Sequence, residues 1–296
     1  MHKIHTPVLL NEAIESLNIV DSEFYIDCTL GDGGHSIEIL KKLSEKGILL
    51  SLDHDQNAID FVKEYYKEES KQSNWIMEKG NFKNIDTLSK PINRKPKGIL
   101  MDLGLSSRQL EESHNRGFSY LEANEPLDMR MDMDLGVTAR DLLNALSEKE
   151  LSKLFKIYGE EKYSYRIAKQ IKKNISDIST VGDLTRLIYK VVPTDYSNKN
   201  PSRRVFQALR IVVNDELNNL KVAIEKSFEI LDREGRLSII SFHSLEDRIV
   251  KNYFLEKQGS GEGEMLFNSH IAPTDDEEKQ NPRSASAKLR TLIKKI

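Results

Sequence analysis

The hydrophobic pattern of this chain changes period at Gly31. Phe24-Tyr-Ile-Asp-Cys-Thr29 is a short run rich in β-forming residues, as expected of a strand buried on both faces. Gly31, Gly33 and Gly34 interrupt it, and Ser36 to Leu43 then has helical spacing. A second apolar run, Ile48 to Leu52, ends on Asp53. The alternation continues with a helix over Gln56 to Glu68 and a short strand at Asn74 to Glu78. A charged loop through Pro96-Lys97 leads into a fourth buried strand, Gly98 to Gly104. Strands alternating with helices predict a mainly parallel α/β sheet.

The rhythm stops at about Arg108, and no convincing strand pattern occurs before Asn200. Ser113 to Asp134 is loop-like, and helices are predicted over Glu160 to Ile175 and Val181 to Val192, the latter ended by Pro193. Ser147-x-x-Glu150 and Thr180-x-x-Asp183 have the form of capping boxes. The division is therefore a core over 1–110, an all-helical insertion over 111–212 and the rest of the core over 213–296. After Pro201, the positions Phe206, Leu209, Val213, Leu217, Leu220, Ile224, Phe228 and Leu231 step by three and four. They predict one long helix, ended by Gly235. Arg236 to Phe242 is a fifth strand, and Glu264 to Asn268 with Lys288 to Ile293 predict a terminal hairpin at the sheet edge.

Strand, glycine turn, helix, strand and acid form half of a nucleotide-binding unit. Asp53 is placed to accept hydrogen bonds from two ribose hydroxyls, which points to an adenosine-containing cofactor. Two cofactors compete. The dinucleotide fingerprint needs a third small residue in frame, and Ser36 stands where glycine or alanine belongs. Asp32 would repel a pyrophosphate, and His35 crowds the turn. S-adenosylmethionine has no phosphate and carries an ammonium and a sulfonium, so an acid-bearing turn favours it.

Composition narrows the class only a little. The 296 residues are 38% hydrophobic and 31% charged, with a net charge of −3, so any RNA contact must come from local basic patches. One cysteine excludes a disulfide framework and a cysteine metal site, and fits a reducing compartment. Met1 to Leu10 lacks a signal-peptide run, and no segment approaches a membrane span, so a soluble cytoplasmic protein is expected.

Asp102 closes the fourth strand, at the sheet end that faces the ligand crevice. A carboxylate there can serve methyl transfer to an exocyclic amine. Accepting the N–H groups localises a lone pair otherwise delocalised into the ring. Cys28, inside an apolar run, is expected to be a buried small hydrophobe rather than a nucleophile. His243, Ser244 and Asp247 are too close in sequence for a good hydrolase triad; Ser244-x-x-Asp247 is expected to cap a helix, and His243 to line the substrate pocket. Asp128, Asp132 and Asp134 resemble a metal loop, but Arg130 stands where an oxygen ligand is wanted, so no metal is expected. Basic runs occur at Lys169 to Lys173, at Lys199 to Phe206 with Arg210, and at Arg283 to Arg290. Arg203, Arg204, Arg210 and Arg283 are the candidate RNA-phosphate contacts.

Eight segments, in order, resemble the bacterial small-subunit rRNA cytosine-N4 methyltransferase family, methyltransferase H or MraW. They are His5-Thr-Pro-Val-Leu-Leu10, Asp27 to Ser36, Asp102-Leu-Gly-Leu-Ser-Ser107 with Gln109, and Arg116-Gly-Phe-Ser119. The others are Leu127-Asp-Met-Arg-Met-Asp132, Phe206 to Ile211, Ser241 to Arg248 and Asn281-Pro-Arg-Ser284. The resemblance implies a class I S-adenosylmethionine-dependent methyltransferase core, Rossmann-like, with an inserted all-helical domain. It implies N4 methylation of a cytidine in the decoding region of 16S rRNA, in free rRNA or in the small ribosomal subunit. It carries cofactor contacts over to Gly33, Gly34, His35, Asp53, Phe82, Asp102 and Gln109. Two departures, Asn200-Pro-Ser-Arg-Arg204 and Arg283-Ser-Ala-Ser286, fall on RNA-contact segments rather than on the cofactor turn. The competing functions are a nicotinamide-dependent oxidoreductase and a non-catalytic RNA-binding assembly factor. Oligomeric state stays open, a homodimer included.

Overall fold

A computed structural model describes residues 7–106, 108, 115–193 and 200–296. Its strands are β1 (Phe24–Asp27), β2 (Ile48–Asp53), β3 (Trp75–Lys79), β4 (Gly98–Asp102), β5 (Arg236–Ser241), β6 (Gly263–Met265) and β7 (Lys288–Lys294). They form one sheet in the order β3-β2-β1-β4-β5-β7-β6. The pairs among β1 to β5 are parallel, and β7 runs antiparallel to both its neighbours. The terminal pair expected from sequence therefore forms. However, β7 inserts between β5 and β6, so only β6 is at the edge.

The strands are nearly continuous apolar runs because both faces are covered. Phe24, Ile26, Leu50, Leu52, Ile99, Met101, Leu237 and Ile239 point into one core. It is closed by α4 (Ile85–Ser89), α10 (Glu216–Ile230) and α11 (Ser244–Gly259). The alternate positions Tyr25, Leu49, Leu100 and Ile240 point into the other core. That face is covered by α1 (Leu10–Leu17), α2 (Gly34–Lys42) and α3 (Gln56–Tyr65).

Two compact units result: Met1–Ser106 with Leu217–Ile296, and Ser107–Glu216. The second unit holds α5 (Ala139–Ala145), α6 (Glu148–Tyr158), α7 (Ser164–Lys173), α8 (Val181–Val191) and α9 (Ser202–Val213). Capping boxes start three of these helices, Thr138 with Asp141, Ser147 with Glu150 and Thr180 with Asp183. In the loop before α5, Leu127, Met129 and Met131 are buried. Between them Asp128 and Arg130 form a two-pronged ion pair, so Asp128 serves an arginine rather than an ion.

The single long helix expected after Pro201 is two helices. α9 stops at Val213 and α10 starts at Glu216, with Asp215 left-handed at φ 51°. Asn214 makes the break. Its side chain accepts the Met131 N–H and donates to the carbonyls of Met129 and Arg210. A side-chain amide that answers nearby backbone groups competes with the helix ladder.

Candidate active site at the carboxyl ends of the strands

Three neighbouring strands each end on an aspartate: Asp27 on β1, Asp53 on β2 and Asp102 on β4. In a parallel sheet these ends face the same crevice. Each acid has different surroundings.

Asp27 is fully buried and bonds only inward. Its Oδ2 accepts the Ser36 hydroxyl at 2.6 Å, and its Oδ1 accepts the Thr29 N–H at 3.0 Å. Ser36 also contacts Ser51 Oγ at 2.8 Å, which accepts the Trp75 indole N–H at 2.9 Å. The Thr29 hydroxyl accepts the Asp102 N–H at 2.7 Å. One buried carboxylate thus ties the glycine turn, α2 and the end of β4 together. Sequence reasoning missed it; the signal was an acid inside an apolar run, which persists only if hydrogen-bonded. Burial raises its pKa, and the Ser36 and Thr29 bonds hold it back. Cys28 is buried beside it, and burial, with the Asp27 charge, pushes the thiol well up. That is the inert state expected of a packing cysteine.

The glycines of the turn answer to the protein as well as to a ligand. Gly33 has φ 82° and caps α2, and a Cβ there would come within 3.0 Å of Tyr66 and 3.1 Å of Val62. At Gly34 a Cβ would lie 2.1 Å from Pro7 Cγ. The clearance at these two positions is thus filled by side chains. His35 does not crowd the turn as expected; it folds inward, 5% exposed. Its Nε2 lies 3.2 Å from the Val8 carbonyl, and its Nδ1 lies 3.7 Å from Asp102 Oδ2. Burial lowers its pKa to about 4, so the ring is neutral at physiological pH.

Asp53 is 9% exposed and already holds two backbone donors. Its Oδ2 accepts the Gly31 N–H and its Oδ1 the Asp55 N–H, each at 2.9 Å. Ribose hydroxyls would therefore share oxygens that brace the turn; each carboxylate oxygen has a second lone pair to offer. Burial raises the Asp53 pKa, opposed by His54 and these N–H groups.

Asp102 differs. Its Oδ1 is sealed from solvent with no hydrogen-bond partner among the described residues. Burial first, then the charges of Asp27 and Glu246, push its pKa well above the usual carboxylate range. A buried acceptor lacking a donor, in a negative surround, suits a ligand that brings N–H groups and positive charge. S-adenosylmethionine fits this donor set, and a pyrophosphate does not.

Phe82 opens a short 3-10 turn after β3 and leans, half-buried, on the core above α4. Gln109 lies outside the described residues. His243, two residues beyond the end of β5, is the N-cap of α11. Its Nδ1 accepts the Glu246 N–H at 3.3 Å, and Glu246 Oε2 accepts the N–H groups of Phe242 and His243. The capping box expected from Ser244 to Asp247 thus starts one residue earlier. Asp247 instead takes Arg290 at 2.7 Å and Lys288 at 3.2 Å, so much of the tail's basic run is spent on it. Arg203 and Arg204 stand in the first turn of α9, Arg204 exposed. Arg283 is exposed in a 3-10 turn. Arg210 is different: it forks onto Glu216 at 2.8 and 2.9 Å, and both side chains are mostly buried. It is built as an internal ion pair rather than as a hand for phosphate. Of the Lys169 to Lys173 run, Lys172 closes the end of α5 through the carbonyls of Leu143 and Asn144.

A 3-2-1-4-5-7-6 sheet with β7 alone reversed, and a glycine turn followed by an acid at the end of β2, define a class I methyltransferase. The chain belongs to the MraW methylase family, whose model matches residues 2–295. Members of this family take their methyl group from S-adenosylmethionine. A protein named ribosomal RNA small subunit methyltransferase H from Clostridium botulinum (strain Loch Maree / Type A3) is 45% identical, over 98% of each chain. One of the same name from Fusobacterium nucleatum is 44% identical, over 97% of this chain and 96% of its own. Another, from Clostridioides difficile, is 42% identical over 98% of each.

Proposed function

We propose that this protein methylates the exocyclic N4 amine of a cytidine in the decoding region of 16S rRNA, in the free rRNA or the small ribosomal subunit. The observation that carries the chemistry is Asp102, a raised-pKa carboxylate at the end of β4 with one oxygen that meets no donor among the described residues. The names of the relatives support the rRNA substrate.

Bound S-adenosylmethionine supplies an electrophilic methyl group on a sulfonium. Asp53 would hold its ribose, Gly33, Gly34 and His35 would form the turn beneath it, and Phe82 would stand on its adenine side. Asp102 accepts an N–H of the cytosine amine. As the nitrogen turns from planar to tetrahedral, that bond strengthens, and the carboxylate takes the proton the amine must lose. A raised pKa makes it the better base. His243 contributes through Glu246, the acid it caps and whose charge reaches Asp102. Arg203, Arg204 and Arg283 meet RNA phosphate, while Arg210 braces α9. The protein works where ribosomal RNA is made, in the cytoplasm; among the described residues no helix is long and apolar enough to cross a membrane.

The test is to incubate the protein and labelled S-adenosylmethionine with small subunits, or with 16S rRNA, from cells lacking this gene. Nucleoside mass spectrometry should find N4-methylcytidine in a fragment of the decoding region. Label on another base, or on the C5 carbon, would overturn the assignment.

A further inference from the structure

Two segments singled out in the sequence lie near Pro7 and near Asn281, and apart from Arg283 neither has a part in the chemistry above. They meet beside the glycine turn. The Leu9 N–H donates to Glu277 Oε1 at 2.7 Å, across 268 residues of sequence. Leu9 is left-handed, φ 52° and ψ 38°, a conformation that leucine disfavours. Its surroundings enforce it: the side chain is fully buried, and its N–H, at the start of α1, meets a carboxylate. The kink carries Pro7 and Val8 over the turn. The Val8 carbonyl meets His35 Nε2, and Pro7 fills the space where a Gly34 side chain would be. Glu277 is itself fixed. It lies in α12 (Asp275–Gln280), its N–H goes to the Thr274 hydroxyl at 3.2 Å, and nearby Ile271 bridges to Leu289 of β7.

We propose that Glu277 is a positioning residue for the cofactor turn, a latch that presses the Pro7–Leu9 segment onto Gly34 and His35. This rests on the turn being the cofactor site. The carboxylate is engaged by the Leu9 N–H rather than aimed at the crevice acids. It acts by holding the outer wall of the turn in the one arrangement in which His35 faces Asp102.

The test compares Glu277→Ala and Glu277→Gln with wild type. Calorimetry with S-adenosylhomocysteine should show affinity weakened about tenfold in the alanine variant, the scale of one charge-assisted hydrogen bond. The glutamine variant, which keeps an acceptor oxygen, should lie between. At saturating S-adenosylmethionine kcat should stay near wild type, so the effect falls on KM. In cofactor-free protein, amide hydrogen exchange at Ser36 and Ile37, in the first turn of α2, should quicken in the same order. Unchanged affinity and exchange in the glutamine and alanine variants would overturn the latch, as would a fall in kcat with KM unaltered. If the alanine variant does not fold, the glutamine variant decides by the same two measurements. Should wild type fail to bind S-adenosylhomocysteine, the cofactor assignment falls instead, and exchange in the cofactor-free protein still decides whether Glu277 holds the turn.

Discussion

Asp53 and Asp102 are the same residue at equivalent places, each the last of a parallel strand, and their surroundings make them opposites. Asp53 is braced by its own backbone, with an N–H on each oxygen and a second lone pair left on each. Asp102 has one oxygen with no donor among the described residues, and the charges that act on it, Asp27 and Glu246, are negative. Burial raises the pKa of both acids, but the N–H groups on Asp53 oppose that rise and hold the side chain in place, which suits holding a ligand. A starved carboxylate binds a proton more readily, which suits taking one. Strand position places an acid at the crevice; the donors around it decide what it does there.

The sharpest attempt to break this contrast is Asp102→Asn, which keeps the shape and removes the charge. Single-turnover methylation should fall about a hundredfold or more, with RNA affinity little changed. In wild type the acidic limb of the pH–rate profile should lie above the ordinary carboxylate range, because Asp102 must lose its proton to act and its pKa is raised. An asparagine variant as fast as wild type would make Asp102 a structural cap.

His35 sharpens the contrast from the side, since its ring faces Asp102 and not Asp53. The unfolded chain protonates this imidazole near pH 6.5, the folded chain only at about 4. Between those values protons favour the unfolded state. The stabilisation is complete above 6.5 and is lost as pH falls towards 4, by up to about 3 kcal/mol for a shift of this size. Urea titrations of wild type and His35→Gln at pH 7 and pH 4.5 should show the variant losing less stability on acidification. Equal losses would mean that the buried ring is not the group responsible. The raised pKa of Asp102 acts with the opposite sign in both proteins, so the difference between them isolates His35.

Asp53→Ala should give the smallest of the three effects, an affinity for cofactor reduced at least about tenfold, with the catalytic rate at saturation preserved. If the rate falls instead and binding holds, the two aspartates are not divided as argued.

The parts of the fold that are written locally were legible. Buried runs ending on Asp53 and Asp102, the glycine turn and the boxes at Ser147 and Thr180 each depend on neighbours in sequence, and the structure has them. The break at Asn214–Asp215 was invisible because it leaves the three-four spacing of apolar residues in phase. His243 took the cap from Ser244 because a ring nitrogen can accept an N–H as a hydroxyl does, and the following Glu246 completes the box. Other features depend on distant partners and had no local sign. The Pro7 ring packed against Gly34 had no such sign, and Arg210 looked like a phosphate contact and holds Glu216. The inward network of Asp27 was hidden by the apolar residues on either side of it.

The place of β7 in the sheet also sets an order of assembly. Five parallel strands can join as they are synthesised, but among the described residues β6 pairs with β7 alone, and β7 is made after it. Until β7 arrives, β5 presents an open edge, and its buried residues Leu237, Ile239 and Ile240 await Leu289 and Leu292. An unpaired apolar edge is where nascent chains stick to one another. A ribosome that stalls between β6 and β7 would therefore release an adhesive, incomplete protein, and the interval between those two strands is when a chaperone has most to protect.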